Sequence, residues 1–223
     1  MAYQVRRATE RPELQGLWDG PVWGPVKPLD ISIFRPESSD HHPIVQAKLL
    51  YDEQAIYGIY NVVDKYVRAV HTTYQSQVCR DSCVEFFVHP KQELGYFNFE
   101  FSGCGALLVY YVSDCTKRAD GDFVERVQLT EEDGNLVSIY TSLPCPVEPE
   151  IQEDTTWQLE FSIPIAMLER HVGELGDQAG QTWRANLYKC GDETSHPHWA
   201  SWMPLTQTNF HMPQHFGELV FER

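Results

Sequence analysis

Residues 183–221 organise the rest of the chain, and their sequence is WRANLYKCGDETSHPHWASWMPLTQTNFHMPQHFGELVF. Apolar and polar side chains alternate from Trp183 to Cys190, which predicts a β-strand, and a second short strand is expected at Gly217–Phe221. The loop between them carries side chains that often hold ligands: Trp199, Trp202, Phe210, His196, His198, His211 and His215. Loops of this length in a compact domain are usually functional. The alternative interpretation is that the aromatic residues cover one end of the core.

Length, composition and charge limit what the chain can do. It has 223 residues, 42% of them hydrophobic, which is enough for one large β-domain with a buried core. The formal net charge is −15, and the 17 Lys and Arg residues form no basic run. Nucleic-acid binding needs clustered basic side chains that neutralise phosphates, so we expect no nucleic-acid partner. A neutral or cationic ligand is easier to accommodate.

Three further features bear on cellular location. No stretch approaches the ~18 apolar residues of a membrane span, so we expect no membrane partner. The first residues, MAYQVRRATERPELQG, lack the apolar core of a signal peptide. A location inside the cell is therefore expected unless a leader has been removed. The six cysteines form no C-x-x-C pair and are expected to be reduced and buried.

The first 30 residues are rich in turn signals, with prolines at 12, 21, 25 and 28 and glycines at 16, 20 and 24. Trp18 and Trp23 lie among them. A segment this short cannot bury a core of its own. We therefore predict that residues 1–30 form an N-terminal arm, held by the two indoles, on a single domain of residues 31–223.

Short strands separated by turn signals follow from residue 44 onwards. Ile44–Tyr51 and Ala55–Val63 have the spacing of a hairpin. Residues 113–134 are polar and are expected to form an exposed loop, and Ile165–Val172, which follows Pro164, has the pattern of a helix. The other strands are expected at Cys83–His89, Tyr96–Ser102, Ala106–Val112, Leu136–Leu143 and Thr156–Ile163. About nine strands and one short helix predict an all-β fold, specifically an antiparallel β-sandwich.

Three of the expected strands place polar side chains opposite an apolar face. The polar positions are Glu85 on the first, Asn98 and Glu100 on the second, and Arg184 and Asn186 on the third. If these strands are neighbours, all five side chains share one sheet face. An ordinary solvated face is one interpretation. The other is a concave face that binds a polyhydroxylated ligand, because carboxylate, amide and guanidinium groups pair well with vicinal hydroxyls.

Six segments together carry a more specific pattern: Ile59–Asp64, Arg80–Phe87, Tyr96–Phe101, Trp183–Tyr188, Phe210–Pro213 and Phe216–Leu219. In this combination the chain resembles the family 9 carbohydrate-binding modules and their single-domain relatives, from about residue 30 to the end. The resemblance implies a β-sandwich that binds a saccharide without cleaving it, in carbohydrate uptake or degradation. It also implies two aromatic walls that enclose a sugar ring, and a possible structural calcium ion.

The resemblance assigns roles to particular residues. Trp199 or Trp202 is expected to form one aromatic wall, and Tyr74 or Tyr66 the other, because the loop before Arg80 has no tryptophan. An indole face suits the C–H face of a pyranose. The expected partners of the sugar hydroxyls are Glu85, Asn98, Glu100, Arg184, Asn186 and Lys189. Arg80 and Asp81 are expected to hold the site or to touch the ligand.

Three other functions remain open at this point. A glycoside hydrolase would use Glu85 and Glu100 as its two carboxylates, at a separation of roughly 5–9.5 Å. A zinc or haem protein would use the loop histidines, with Met203 and Met212 nearby, although the spacing matches no zinc signature. A protein-interaction module would use the aromatic patch itself.

Overall fold

The computed structural model describes all 223 residues, Met1–Arg223. Its strands are β1 Ala2–Arg7, β2 Leu29–Asp30, β3 Ile33–Phe34, β4 Ile44–Tyr51, β5 Ala55–Asp64, β6 Val67–Ala69, β7 Cys83–His89, β8 Tyr96–Ser102, β9 Leu107–Lys117, β10 Phe123–Gln128, β11 Ser138–Thr141, β12 Val147–Ile151, β13 Thr155–Pro164, β14 Thr182–Cys190, β15 Trp199–Ser201 and β16 Gly217–Phe221. The helices are α1 Glu131–Gly134 and α2 Ile165–Val172, with 3₁₀ turns at Val78–Arg80 and Pro213–His215.

Most strands belong to one curled sheet. Its main path has the order β10-β9-β8-β7-β14-β16-β1-β4-β5-β13-β11, while β2, β3 and β15 pair beside it and β12 pairs with β6 separately. The all-β prediction is confirmed. The sandwich prediction needs correction, because a mixed sheet of 11 strands curls over the core and is not a clearly antiparallel sandwich.

The parallel pairs come from β1, which begins the stretch that we interpreted as an arm. Residues 2–5 of β1 run parallel to β16, and Arg6 and Arg7 run parallel to β4. The strand therefore joins the two halves of the sheet. Its alternation was visible in the sequence, because Tyr3 and Val5 point into the core while Gln4 between them is exposed. The turn signals begin only after this strand, and Trp23 in that later part is buried.

The core lies between the two halves of the curled sheet and is rich in aromatic rings. Phe86 and Phe101 come from one half and Phe161 from the other. The ring centroids of Phe101 and Phe161 lie 5.0 Å apart, and those of Phe86 and Phe161 lie 5.6 Å apart. These contacts explain why phenylalanine occupies the inner face of β7 and β8. Because the core holds these strands in place, the position of their opposite face, which carries the polar residues, is also fixed.

Gly58 tests how tightly this core is packed. A Cβ at residue 58 of β5 would overlap the ring of Phe161. We expect Gly58→Ala to lower the free energy of unfolding by about 2–3 kcal/mol, because overpacking displaces the ring. Urea denaturation measures the effect. The double variant Gly58→Ala/Phe161→Leu should lose less than the sum of the two single losses, since the smaller side chain frees the space. Additive losses would contradict this account of the contact.

Local predictions fared differently along the chain. The hairpin of β4 and β5 and the helix α2 at Ile165–Val172 are confirmed. The predicted exposed loop at residues 113–134 is wrong, since β9 continues to Lys117, β10 pairs with it, and α1 follows. The polar composition there reflects an edge hairpin with mostly exposed side chains. At eight residues, α2 is far too short to reach across a membrane, and no other helix is longer.

Candidate functional site

The strand β14 positions the site. It pairs with β7 along one edge, while its other edge pairs with β16 at residues 182–185 and with β15 at residues 188–190. The sheet order β8-β7-β14-β15 therefore brings four strands together beside the long loop. Residues that pair directly across antiparallel strands lie on the same face. The register places Glu85 opposite both Glu100 and Tyr188, and it places Cys190 opposite both Cys83 and Trp199.

A cleft of about 200 Å³ opens on this face. Its lining is formed by Arg35, Cys79, Glu85, Glu100, Cys190, Asp192, Trp199, Thr208, Asn209, Phe210 and His211. Carboxylates and a thiol form its floor, and aromatic rings form its walls. The strands supply the floor, while the loops before β7 and after β14 and β15 supply the rest.

Two glutamates on the floor lie deep in the sheet. Glu85 is 2% exposed and Glu100 is 7% exposed, and neither forms an ion pair with a lysine or arginine. Burial, and then the charge of Glu100, raises the pKa of Glu85 well above its ordinary value. Burial also raises the pKa of Glu100 to about 7. A hydrogen bond of 2.8 Å from Asn98 Nδ2 to Glu100 Oε1 acts in the opposite direction and lowers that pKa. Near neutral pH these two carboxyl groups can therefore both donate and accept hydrogen bonds.

The aromatic walls are held by their own contacts. Trp199 donates from Nε1 to Asp192 Oδ1 at 2.7 Å, and the Arg35 guanidinium carbon lies 4.8 Å from the centroid of the indole. Phe210 stacks on Tyr188 with ring centroids 4.1 Å apart, and the Tyr188 hydroxyl donates to the Phe210 carbonyl at 2.8 Å. Both walls are thus fixed before any ligand arrives.

His211 closes the cleft between Phe210 and the sheet. Burial lowers the pKa of His211 to about 3, so the ring is neutral at physiological pH. Its Nδ1 shares a hydrogen bond of 2.7 Å with the Tyr96 hydroxyl. This residue supports the loop that carries Phe210.

The structure brings three of the predicted ligand residues to the cleft, namely Glu85, Glu100 and Trp199. Asn98 lies on the same face and donates a hydrogen bond to Glu100. Its Oδ1 accepts a hydrogen bond of 3.2 Å from the backbone N–H of Tyr110. Asn186 shares the face but holds a turn, since its Oδ1 accepts from the Met203 and Leu187 backbone at 2.9 and 3.0 Å.

Four other predicted residues lie outside the cleft. Arg184 donates to the Phe216 carbonyl at the far end of β14. Trp202 is 5% exposed and packs against Gly217 in the core. The Tyr74 hydroxyl donates to the Thr130 carbonyl at 2.8 Å. Lys189 points to the inner face of β14, because it alternates with Tyr188 and Cys190, and it pairs there with buried groups.

Arg80 and Asp81 hold the loop that precedes β7. Arg80 is exposed and pairs with Glu193 at 3.2 Å, which links this loop to the one that carries Asp192. Asp81 is fully buried and accepts from the backbone N–H groups of Val70 and His71 at 2.9 and 2.7 Å. Both residues shape the border of the cleft, and neither lines it.

The loop histidines do not form one group. His198 contacts Lys189, His211 contacts Tyr96, and His215 contacts Thr206. One set of three potential metal ligands does converge, namely Cys83, Glu85 and Cys190. Two of these are thiols, which suit calcium poorly because calcium prefers oxygen ligands. The calcium ion that the resemblance implies stays a prediction.

Two cysteines that sequence reasoning missed carried an available signal. Cys190 continues the alternation of Arg184, Asn186 and Tyr188, and Cys83 precedes Glu85 by two positions on the same face. The expectation that the cysteines are reduced and buried gives them no role in a ligand site. Phe210 was noted in the aromatic loop, but its role as a wall depends on its stacking with Tyr188.

Comparison with known proteins identifies the family of the chain. The family model for carbohydrate-binding family 9 matches residues 26–221. The chain belongs to carbohydrate-binding family 9. Its match confirms the resemblance drawn from the six sequence segments, and it begins near the end of the turn-rich N-terminal part. No curated protein matches the chain in sequence.

Solved structures extend the comparison within family 9. The chain is similar to a protein from Bacteroides uniformis ATCC 8492 to which carbohydrate binding is ascribed, with 30% identity over 99% of both chains and a TM-score of 0.84. A family 9 module from Caldicellulosiruptor kristjanssonii, solved with cellotriose, shares 15% identity over 100% of this chain and 94% of the module, at a TM-score of 0.61. The same kind of module solved with glucose shares 14% identity, covers 99% and 96% of the two chains, and has a TM-score of 0.61.

Proposed function

We propose that this family 9 protein binds a saccharide, without cleaving it, in the cleft between Trp199 and Phe210. The observation that carries the proposal is the arrangement of aromatic walls above a floor of buried carboxylates. An aromatic ring offers an apolar surface for the C–H face of a sugar, and carboxylates accept hydrogen bonds from hydroxyls. The family 9 modules from Caldicellulosiruptor kristjanssonii that were solved with glucose and cellotriose support the same class of ligand.

The charge of the cleft selects among sugars. Glu85, Glu100 and Asp192 contribute carboxyl groups, and Arg35 is the basic residue of the lining. At pH 7 the negative charge comes from Asp192 and from the ionised fraction of Glu100, and an acidic sugar would place its carboxylate beside them, which is unfavourable at short range. A protonated amino group would instead be attracted to them. We therefore propose a neutral or amino sugar as the ligand, with uronic acids excluded.

Calorimetric titration with glucose, cellotriose, glucosamine and glucuronate tests the proposal. We expect saturable binding of at least one neutral or amino sugar and none of glucuronate. Trp199→Ala should weaken binding at least about tenfold, which corresponds to about 1.4 kcal/mol, because it removes one wall. Tyr74→Phe is the matched control, since this aromatic residue lies outside the cleft, and its affinity should equal that of the wild type.

Two results would overturn the proposal. One is the absence of binding to every sugar by a protein whose circular dichroism shows it folded. The other is equal affinity of the wild type and Trp199→Ala. A loss of affinity in Tyr74→Phe would return Tyr74 to the site and move the binding surface away from Phe210.

Glycoside hydrolysis is the second candidate, favoured by one observation. The pKa of Glu100 is raised to about 7, as suits a general acid, and Glu85 lies directly across the strand pair. A cross-strand pair places Cβ atoms about 4.5–5.5 Å apart, which leaves the two carboxyl groups close together. Incubation of cellotriose with the protein decides between the two functions. Release of glucose that is lost in both Glu85→Gln and Glu100→Gln would establish the enzyme.

A further inference from the structure

The deep end of the cleft contains a second arrangement, which sugar binding does not explain. Cys83, Glu85 and Cys190 offer ligand atoms that all lie within 4.8 Å of one another. One of these separations is the 3.0 Å hydrogen bond from Cys190 Sγ to Glu85 Oε1. All three side chains are buried, with exposed fractions of 0%, 2% and 1% respectively.

The backbone fixes this arrangement before any ligand binds. Cys83 and Glu85 are two residues apart on β7, so their side chains leave the same face. Cys190 lies directly opposite Cys83 on β14. Both strands are interior, since β8 pairs with the far edge of β7 and β15 with the far edge of β14 at this point. Side chains on such strands are positioned more rigidly than side chains on loops.

The ligand set has a definite chemical preference. Thiolate and carboxylate groups together suit zinc, at distances of roughly 2.3 Å to sulfur and 2.0–2.2 Å to oxygen. A tetrahedral ion with these bond lengths holds its ligand atoms roughly 3.3–3.8 Å apart. The Cys190–Glu85 separation of 3.0 Å is close to this range, and the other two separations stay below 4.8 Å, so side-chain rotations would be needed to complete the geometry. Calcium and magnesium are disfavoured, because both prefer oxygen ligands.

The surroundings also favour a cation. Glu85 has no lysine or arginine partner, and its nearest charged neighbour on the same face is Glu100. Lys189 carries the closest positive charge, but its side chain leaves the opposite face of β14.

We propose that Cys83, Glu85 and Cys190 bind a thiophilic divalent metal ion, with zinc as the first candidate. Glu85 and Cys190 line the cleft, so the fourth coordination position opens towards it and is available to water or to a ligand hydroxyl. The site follows from the strand register, and it shares Glu85 with the floor of the proposed sugar cleft.

Cobalt(II) titration of the reduced, metal-free protein tests the site directly. Thiolate coordination to cobalt produces a charge-transfer absorption that imidazole or carboxylate ligands alone do not produce. We expect this band to saturate at one equivalent, and we expect zinc to displace it. Elemental analysis after desalting should then give one zinc per chain. Thiol titration of the denatured sample confirms that all six cysteines are reduced before metal is added.

Variants assign the ligands. Cys83→Ser and Cys190→Ser should each weaken zinc binding at least about 100-fold and remove or shift the cobalt band. Cys115→Ser, a partly buried cysteine on β9, is the matched control and should bind like the wild type. Glu85→Gln keeps the shape of the side chain and provides a test if either serine variant fails to fold. Glu85→Gln should lower the affinity for zinc, while the thiolate-to-cobalt absorption band persists.

Two outcomes would overturn the proposal. The first is that the reduced wild type acquires no thiolate-to-cobalt band and no zinc above background. The second is that Cys83→Ser and Cys190→Ser retain zinc as well as the wild type, which would place the metal on surface histidines. Neither outcome changes the expected sugar titration, so failure of the metal site and failure of the sugar site are distinguishable.

Discussion

Asp64→Asn is expected to lower the free energy of unfolding by about 3–5 kcal/mol, since it leaves a buried lysine without its carboxylate. Lys189 Nζ lies 3.5 Å from Asp64 Oδ2, and both side chains have no exposed surface. The lysine also contacts His198 Nε2 at 2.7 Å and the Cys190 carbonyl at 2.9 Å. Burial acts to raise the pKa of Asp64, but Lys189 and a hydrogen bond from His41 outweigh it and hold that pKa well below its ordinary value.

A double variant separates the net contribution of the Asp64–Lys189 pair to the free energy of unfolding from the destabilisation caused by removing only one partner. Asp64→Asn/Lys189→Met removes both charges, and we expect it to recover most of the stability that Asp64→Asn loses. Glu132→Gln is the control, because Glu132 is 81% exposed and lies 3.5 Å from Arg170, whose side chain is 46% exposed. Its loss should stay below about 1 kcal/mol. Urea denaturation at pH 7 measures all three, and an Asp64→Asn loss no larger than that of the control would contradict the prediction.

This buried pair also shows where sequence reasoning reached its limit. Period-two alternation places Glu85, Asn98 and Asn186 on one face once their strands are neighbours, and the register confirms that they share it. The same alternation puts Lys189 on the inner face. We nevertheless expected Lys189 to bind a sugar, although it alternates in step with the apolar Trp183, Ala185 and Leu187. The partner, Asp64, comes from β5 in the other half of the sheet, and only the fold brings the two together.

The two tryptophans of the long loop make the same point. Trp199 and Trp202 are three residues apart in one aromatic stretch, and their sequence neighbourhoods do not distinguish a wall of the cleft from a core residue. Their roles diverge because Trp199 pairs with Cys190 at the end of β14, while Trp202 follows β15 and packs against Gly217. Three residues of β15 are too few to show a strand pattern in the sequence.

The parallel strand β1 was missed for a different reason. Its alternating Tyr3 and Val5 give a strand pattern, but parallel pairing to β16 requires the two ends of the chain to meet. Local propensity contains no information about that contact. The turn-rich residues that follow therefore dominated the interpretation of the whole segment.

Glu100→Gln should make the protein more stable above pH 7, by up to about 3 kcal/mol, and should flatten its stability profile between about pH 4.5 and pH 7. Burial raises the pKa of Glu100 from 4.5 to about 7, so the folded protein keeps a proton that the unfolded chain has already released. The stabilisation is complete below the pKa of the unfolded chain, and it is lost as the pH rises through the folded-state pKa. Glutamine keeps the acceptor for Asn98 and removes this titration.

The measurement is the free energy of unfolding in urea at intervals from pH 4.5 to pH 8.5. The advantage of Glu100→Gln over the wild type should be small at the acid end, should grow through pH 6, and should be constant above about pH 7.5. The charge of Glu100 also raises the pKa of Glu85, so the difference between the two curves reports the loss of the Glu100 titration together with the relief of Glu85. Glu125→Gln, an exposed carboxylate on β10, is the matched control and should give a curve parallel to that of the wild type. If the curve for Glu100→Gln were also parallel to the wild type, the floor of the cleft would be solvated, and the buried carboxylate pair could not be the feature that selects the ligand.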